Sequence, residues 1–233
     1  MPIRALLFDL DGTLADTETL HFQAFAEVLR PAGISVDRAD YFARLIGYTD
    51  HDCFALLLAE HGHPATPDAI AAFTARKAAI YGAMIADCDV IYPGAAAFVR
   101  RCAERFPLIV VTGTLRHEAE TILGRAQLRD LFVDIIAAED AAHGKPAPDG
   151  FLAGLGRLGF ILRPRPSIVA AECLAIEDTA AGVEAARRAG MRVLALSHTA
   201  PADALAAADL IRPSIAATDL DDVLRRLASG PPA

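Results

Sequence analysis

Short apolar runs alternate with longer amphipathic stretches over most of the chain, and this alternation predicts strands that are followed by helices. The predicted strands are Ile3–Phe8, Leu108–Val111, Val133–Ala137, Cys173–Ile176, Arg192–Leu196 and a short one near Leu210 and Ile211. The predicted helices that accompany them cover residues 94–105, 115–126, 149–158, 180–189 and 219–228. Because strands that alternate with helices are typical of parallel sheets, the pattern predicts an α/β protein with a doubly wound parallel sheet.

Residues 17–92 depart from this rhythm because they contain no strand pattern. Apolar positions repeat at helical spacing over residues 16–30, 37–46, 51–62 and 67–84, with breaks at Gly47 and at Gly62-His63-Pro64. The strand–helix rhythm resumes at Tyr92-Pro93-Gly94. We therefore predict a core of residues 1–16 and 93–233, with a small helical cap, residues 17–92, inserted after the first strand. The tail, residues 229–233, is predicted to be disordered.

Polar residues follow four of the predicted strands at or shortly after the point where each strand ends. In chain order they are Asp9 with Asp11, Thr112 with Gly113, Lys145, and Glu177 with Asp178. Because the carboxyl ends of parallel strands share one edge of a sheet, we expect these groups to converge on one crevice. Closely spaced acids favour a divalent cation, whereas hydroxyl, amide and ammonium groups suit phosphate oxygens.

Several of these residues also have an ordinary structural explanation. Asp11-Gly12 is common turn chemistry, Asp178 would serve as the N-cap of the helix predicted at 180–189, Thr112 would be a solvated strand end, and Lys145 would be a surface-loop lysine. The coincidence of four strand ends favours a site over these explanations.

Length, charge and cysteine usage narrow the class of protein. The 233 residues suffice for a core and a cap, and a formal net charge of −8 gives no electrostatic basis for binding nucleic acid or an anionic membrane. The four cysteines have no CxxC spacing and are predicted to be buried, reduced thiols of a cytoplasmic protein. The first apolar run is too short for a signal peptide, and we expect that no stretch approaches the roughly 20 apolar residues of a membrane-spanning helix.

Lysine is rare in this chain. Of the 22 Lys and Arg residues only two are lysine, Lys77 and Lys145, which makes both candidates for work that needs a compact ammonium. The alternative for Lys77 is that its identity is due to chance, since it follows Arg76 on a polar helix face.

The sequence lacks the motifs of a P-loop and of a zinc site. Residue 139 is Glu where a P-loop needs Gly, and the histidines lack zinc-ligand spacing.

Four motifs together resemble those of the haloacid dehalogenase superfamily. They are Asp9-Leu10-Asp11-Gly12-Thr13-Leu14, Val110-Val111-Thr112-Gly113, Gly144-Lys145-Pro146-Ala147-Pro148-Asp149 and Ile176-Glu177-Asp178-Thr179. Their order and spacing cover roughly the whole chain, which makes the resemblance specific. Within the superfamily the chain is most similar to the phosphoglycolate phosphatase, β-phosphoglucomutase and CbbY-like group. The resemblance implies a Rossmann-like core with an inserted helical cap.

The resemblance also implies a reaction and a role for each motif residue. Asp9 would attack the phosphoryl group and form an aspartyl phosphate, and Asp11 would act as general acid and then general base. Mg²⁺ would be held by the side chain of Asp9, the backbone carbonyl of Asp11 and the side chain of Asp178, with Glu177 acting through water. Thr112, the Gly113 amide and Lys145 would stabilise the transferring oxygens. Thr13 is expected to support the turn.

Three further residues are candidate substrate contacts by the same resemblance. His21 and Lys77 lie in the cap, and Arg116 follows the second motif where mutase-like relatives bind a second phosphate. The alternatives are a polar contact among helices for His21 and a solvent-facing arginine for Arg116. Asp50 stands where mutase-like relatives place a distal-phosphate arginine, and residues 162–167 form a longer connection than relatives usually carry.

The sequence therefore predicts a Mg²⁺-dependent phosphatase that acts on a small phosphorylated metabolite, either a sugar phosphate or a carboxylate phosphate. A phosphosugar mutase that uses the same aspartyl phosphate is the alternative, which Asp50 disfavours. A non-catalytic phosphate-binding regulator is a third class, disfavoured because every predicted catalytic residue is present. We expect a monomer or weak dimer, with neither nucleic acid nor membrane as a partner.

Overall fold

The computed structural model describes residues 1–46, 48–161 and 168–229. The chain divides into two compact units, one of Met1–Asp16 with Ile91–Ala233 and the other of Thr17–Val90. Ile91 and Tyr92 lie in the first unit, two residues ahead of the predicted return at 93. Ile91 forms a β-bridge with Ala15, and the Tyr92 N–H donates to the Leu14 carbonyl at 2.9 Å. The predicted break at Gly47, the connection 162–167 and tail residues 230–233 lie outside the described residues.

The first unit contains a six-stranded parallel sheet, which confirms the predicted α/β class. Its strands are β1 Ala5–Phe8, β2 Leu108–Val111, β3 Asp134–Ile136, β4 Cys173–Glu177, β5 Arg192–Leu196 and β6 Leu210–Arg212. They lie side by side in the order β3-β2-β1-β4-β5-β6. In the two central pairings Leu7 is aligned with Ile109 of β2 and with Ala175 of β4. The strand that carries the first motif therefore lies inside the sheet.

Helices cover both faces of the sheet. Successive residues of a strand point to opposite faces, and the buried strands are apolar at successive positions, so both faces must be shielded from water. The helices of this unit are α5 Ala95–Ala103, α6 Arg116–Arg125, α7 Asp149–Ile161, α8 Ala180–Arg188 and α9 Leu220–Ser229. Leu7 belongs to a core cluster with Phe151 and Leu158 of α7. The next residue, Phe8, instead packs edge-on against Phe98 of α5, with ring centroids 6.3 Å apart.

The second unit consists of α1 Glu18–Leu29, α2 Arg38–Arg44, α3 Asp50–Glu60 and α4 Pro67–Asp87, and its described residues contain no strand. The hydroxyl of Thr49 starts α3 by accepting the Asp52 N–H, and the hydroxyl of Thr66 starts α4 in the same way. The unit has its own apolar core, in which the rings of Phe25 and Phe54 lie 4.7 Å apart.

The length and composition of α4 contradict the expectation that no stretch could span a membrane. An 18-residue window within its 21 residues reaches a mean hydropathy of 1.2, and 22% of that window is buried. The many alanines of the helix raise this value, although the same helix carries Arg76 and the fully buried Lys77. Length and composition are the whole basis of this finding, and core helices of water-soluble proteins also meet both criteria.

The cysteines are free, but one of them is not buried as predicted. Cys88 is exposed and lies directly after the last residue of α4, Asp87, in extended conformation. Cys53, Cys102 and Cys173 are buried, and burial raises the pKa of each of these thiols to about 12. All three therefore stay protonated at neutral pH.

Candidate active site

Three buried carboxylates meet at the carboxyl edge of the sheet. Asp9 directly follows β1, Glu177 is the last residue of β4, and Asp178 follows it. Phe8 is paired in register with Ile176, and the Asp9 N–H donates to the Ile176 carbonyl at 3.0 Å, so the residues that come next lie side by side. One carboxylate oxygen from each of the three acids lies within 4.8 Å of the others.

A tight turn after β1 brings the first motif against Asp178. The Leu10 carbonyl accepts the N–H groups of Leu14 and Ala15, each at 2.9 Å. Gly12 has a φ of +82°, and a Cβ there would overlap the carboxylate of Asp178, so both the conformation and the close approach require glycine. The Thr13 hydroxyl donates to Asp178 Oδ1 at 2.8 Å. Thr13 thus holds the acid as well as the turn.

The start of α8 is capped by Thr179 and not by Asp178, so the capping alternative for Asp178 is wrong. The Thr179 hydroxyl accepts the Gly182 N–H at 3.0 Å. A Cβ at Gly182 would overlap the Glu177 carboxylate, which lies against this first turn of the helix. The side chain of Asp178 instead belongs to the acidic cluster.

Lys145 places its ammonium among these acids. It forms ion pairs with Asp9 and with Glu177, the latter at 2.6 Å, and its side chain is 13% exposed. Burial raises the pKa of Asp9 well above its usual range; Lys145 opposes this effect, and Glu177 and Asp178 reinforce it. Burial would lower the pKa of Lys145, but its pairs with Asp9 and Glu177 outweigh burial and raise it. Lys145 therefore remains an ammonium, contrary to the surface-loop alternative.

Asp11 is held by hydroxyl groups from the loop after β2. Thr112 donates to Asp11 Oδ2 at 3.1 Å, and Thr114 donates to the same oxygen. The Thr114 N–H also donates to the Thr112 hydroxyl at 3.0 Å, which fixes the two threonines relative to each other. Both threonines are buried, so Thr112 is not a solvated strand end, whereas Gly113 between them is exposed.

The charge of the cluster fits a hard divalent cation. Three carboxylates and one ammonium leave an excess of negative charge in a buried site, which is costly unless a cation or a proton is shared. Carboxylate oxygens are the ligands that Mg²⁺ prefers. The donor set of Asp9, Glu177 and Asp178 is therefore suitable for Mg²⁺.

Arg116, the predicted second-phosphate contact, is engaged by groups near β3. Its guanidinium pairs with Asp140, lies 3.7 Å from Asp134 and donates to the Ile135 carbonyl at 2.8 Å. The side chain is 37% exposed, so part of the guanidinium faces solvent. These contacts anchor the start of α6 to the end of β3.

The two cap candidates lie together inside the second unit. Lys77 is fully buried, so it does not belong to a polar helix face; its ammonium lies 2.9 Å from Asp50 and 2.6 Å from His21 Nδ1. The His21 ring stacks on Tyr81 with centroids 4.1 Å apart, and the ammonium of Lys77 lies over the same tyrosine. The structure thus joins His21, Lys77 and Asp50 in one polar cluster surrounded by aromatic rings.

Comparison with known proteins decides the family. Residues 3–190 match the haloacid dehalogenase-like hydrolases. The chain belongs to this family. Its phosphatase relatives make it a phosphoric monoester hydrolase, as the four motifs predicted.

This hydrolase is similar to two curated proteins and to one solved structure. It is 34% identical to protein CbbY of Rhodobacter capsulatus over 93% of this chain and 96% of that protein. It is 33% identical to the fructose-1-phosphate phosphatase YqaB of Escherichia coli K12, over 80% of this chain and 92% of that protein. Its fold matches the crystal structure of CbbY from Rhodobacter sphaeroides in complex with xylulose-(1,5)bisphosphate, with a TM-score of 0.80, 29% identity, and coverage of 92% and 95%.

Two residues of this hydrolase that lie at the site escaped the sequence analysis. Thr114 contacts Asp11, and His198 contacts the carbonyl of Gly12. Both follow a strand of the sheet, β2 and β5 respectively, so the strand-end criterion that identified Thr112 would have included them had it been extended by one or two residues.

Proposed function

We propose that this haloacid dehalogenase-like hydrolase is a Mg²⁺-dependent phosphatase of small phosphorylated metabolites and that it works through an aspartyl phosphate on Asp9. The observation that carries the proposal is the buried cluster of Asp9, Glu177, Asp178 and Lys145 at the strand ends. A carboxylate nucleophile beside an ammonium and two further acids is suited to in-line transfer of a phosphoryl group.

In the first half-reaction an oxygen of Asp9 attacks phosphorus, the bond from phosphorus to the leaving oxygen breaks, and Asp11 donates a proton to that oxygen. In the second half-reaction water attacks the aspartyl phosphate while Asp11 accepts a proton, which releases inorganic phosphate and restores both acids. The contacts from Thr112 and Thr114 orient Asp11 for this exchange.

The remaining polar groups would bind the phosphoryl oxygens and the cation. Lys145, the Thr112 hydroxyl and the Gly113 amide are proposed to stabilise charge on the transferring oxygens. Asp9, Asp178 and the Asp11 backbone carbonyl would hold Mg²⁺, with Glu177 acting through water. When bound, the cation offsets the repulsion between a carboxylate and an anionic phosphate.

A screen of phosphorylated metabolites tests this proposal. The panel includes sugar monophosphates and bisphosphates, because relatives include a fructose-1-phosphate phosphatase and a CbbY solved with xylulose-(1,5)bisphosphate, together with phosphoglycolate as a carboxylate phosphate. We expect phosphate release from at least one compound, dependent on Mg²⁺ and abolished by EDTA. Release that survives exhaustive chelation would contradict the metal assignment.

Asp50 favours a phosphatase over a phosphosugar mutase. A mutase must hold a second phosphate far from Asp9, and Asp50 occupies the position where mutase-like relatives place an arginine. Asp50 also lies 2.9 Å from the ammonium of Lys77, so the positive charge of that lysine is already balanced within the cap.

The two activities separate in one assay. The enzyme is incubated with Mg²⁺ and β-glucose 1-phosphate, with and without glucose 1,6-bisphosphate, while free phosphate and glucose 6-phosphate are measured separately. We expect no activation by the bisphosphate and no conversion to glucose 6-phosphate. Bisphosphate-dependent formation of glucose 6-phosphate that outpaces phosphate release would establish the mutase instead.

A further inference from the structure

The loop after β5 contacts the turn that carries the catalytic acids. His198 lies two residues beyond the end of β5, and its Nε2 lies within hydrogen-bond distance of the Gly12 carbonyl oxygen. The Thr199 hydroxyl lies 3.5 Å from the same oxygen. Because a carbonyl oxygen only accepts hydrogen bonds, Nε2 of His198 carries the hydrogen and donates it.

This hydrogen bond fixes the peptide plane between Gly12 and Thr13. Asp11 precedes that plane, and Thr13 follows it and donates to Asp178 Oδ1 at 2.8 Å. A rotation of the plane would therefore move Asp11 and withdraw the Thr13 hydroxyl from Asp178. Gly12 has no side chain to resist such a rotation. The plane is held at both polar ends: the Thr13 N–H donates to the Leu10 carbonyl at 3.3 Å, and the Gly12 carbonyl accepts from His198.

The ring of His198 has a second contact that holds it in place. It packs edge-on against Tyr92, with ring centroids 4.7 Å apart and planes at 62°. The backbone N–H of Tyr92 donates to the Leu14 carbonyl of the same turn. His198 thus touches both chain segments at the place where the chain leaves the first unit and returns to it.

We infer that His198 is a positioning residue, which acts through Gly12 and Thr13 to hold Asp11 and Asp178 in the geometry needed for Mg²⁺ binding and phosphoryl transfer. The inference rests on the proposed function, since it concerns the same site. The contacts of His198 are with the Gly12 carbonyl and the ring of Tyr92, so its effect on the acids passes through the turn.

Two substitutions separate the hydrogen bond from the packing of the ring. His198→Phe keeps a flat ring against Tyr92 and removes the donor, whereas His198→Gln keeps an N–H that can reach the Gly12 carbonyl. Ser197→Ala is the matched control, because the Ser197 hydroxyl of the same loop faces the Arg212 carbonyl instead. For each folded protein, Mg²⁺ binding is measured by isothermal titration calorimetry, and kcat and KM are measured on a substrate from the screen.

We expect His198→Phe to weaken Mg²⁺ binding and to lower kcat, each about five- to tenfold, with KM nearly unchanged, as the loss of one hydrogen bond predicts. His198→Gln and Ser197→Ala should stay within about twofold of the wild type. If His198→Phe does not fold, His198→Asn, whose amide is too short to reach, replaces it with the same expected loss.

Each other result has a distinct meaning. An unchanged Mg²⁺ affinity and kcat in folded His198→Phe would overturn the inference while the proposed function stands. Equal losses in the Phe and Gln variants would also overturn it, since a retained N–H donor would then fail to preserve Mg²⁺ binding and kcat. A wild-type protein that neither binds Mg²⁺ nor releases phosphate would overturn the proposed function and this inference with it.

Discussion

The position of Lys145 suits a compact ammonium better than the planar guanidinium of an arginine. Its ammonium lies between the carboxylates of Asp9 and Glu177 and over the ring of Phe151, at 5.6 Å from the ring centroid. A compact point charge can approach both acids at once, whereas a guanidinium is planar, longer and wider. The rarity of lysine in this chain is consistent with a specific need for it here.

Lys145→Arg should therefore fail to support turnover. We expect kcat/KM to fall by about 10²-fold or more, the scale at which loss of one charge-stabilising group is felt. The control is Arg4→Lys, which exchanges the same two residue types at a partly exposed ion pair with Glu172 and should leave kcat/KM unchanged. Near wild-type activity in Lys145→Arg would reduce Lys145 to an ordinary charge.

Asp9→Asn should abolish turnover while the protein remains folded. The amide has nearly the same shape as the carboxylate but is a poor nucleophile and a weaker cation ligand, so kcat should fall on the order of 10⁴-fold. The measurement is phosphate release, with circular dichroism to confirm the fold. A folded Asp9→Asn protein with appreciable turnover cannot have Asp9 as its nucleophile.

The sequence led to the strand-end residues because each directly follows an apolar run, but contacts between distant loops left no such mark. Asp9, Thr112 and Asp178 each stand one residue beyond a strand. The capping of α8 is local: Thr179 directly precedes the helix predicted at 180–189 and is a preferred N-cap residue, so this contact was within reach of the sequence. Nothing in the local pattern indicates that the ring of His198 would reach Gly12, because that contact depends on the order of the strands, which brings β5 beside β4.

At the scale of elements, the first turn of α8 lies so close to the end of β4 that only glycine fits at its contact point. Gly182 lies against the Glu177 carboxylate, and Glu177 in turn pairs with Lys145. The helix can therefore pack this close to the acidic cluster only because residue 182 has no Cβ.

Gly182→Ala should displace Glu177 from Lys145 and lower kcat/KM by at least tenfold, together with a loss of stability, because overpacking a filled site costs about 1–3 kcal/mol. The matched control is Gly156→Ala in α7, where an added Cβ would meet nothing within 4 Å. That change should raise the free energy of unfolding by roughly 0.5–1 kcal/mol, since alanine is the better helix former. Thermal unfolding and phosphate release compare the two; equal behaviour would contradict the predicted clash.

The sequence predicted the type of most elements and the bounds of two of the apolar strands. The bounds of β2 and β5 are as predicted, because a buried strand of a parallel sheet is a continuous apolar run. Helix ends were less certain: α7 continues to Ile161, three residues beyond its predicted end, since apolar spacing does not show where the last turn frays. The 3₁₀ turn Arg129–Leu131 was missed because three residues cannot show a period.

For the molecule as a whole, the acidic cluster affects the free energy of unfolding. Asp9, Glu177 and Asp178 are buried within reach of one another, and repulsion among them opposes folding unless a cation is bound. Binding of Mg²⁺ to the folded state alone would then raise the free energy of unfolding. The same acids would thus lower the stability of the metal-free protein and make its stability depend on Mg²⁺.

Asp178→Asn should make the metal-free protein more stable and remove its response to Mg²⁺. The substitution relieves one like-charge contact, so we expect the midpoint of thermal unfolding in EDTA to rise by roughly 2–5 °C. Addition of Mg²⁺ should raise the midpoint of the wild type but not that of the variant. Asp130→Asn, which changes an exposed acid, serves as the control and should respond to Mg²⁺ as the wild type does. An Asp178→Asn protein that Mg²⁺ still stabilises fully would remove Asp178 from the set of ligands.

The alternation of strands and helices predicted a parallel sheet but not the order of its strands. That order depends on which way each crossover turns, and the apolar pattern contains no information on it.

The central place of β1 has a consequence for how the chain is made. Ala5–Phe8 is translated before both of its partners in the sheet, which begin at Leu108 and Cys173 and follow only after all of Thr17–Val90. Throughout that interval four apolar residues lack both neighbouring strands, while the inserted helices can already collapse on their own aromatic core. The strand that precedes Asp9, the proposed nucleophile, is thus translated first of the six and is among the last to be enclosed, so the nascent chain should be most prone to aggregate, and most in need of a chaperone, just before β4 emerges.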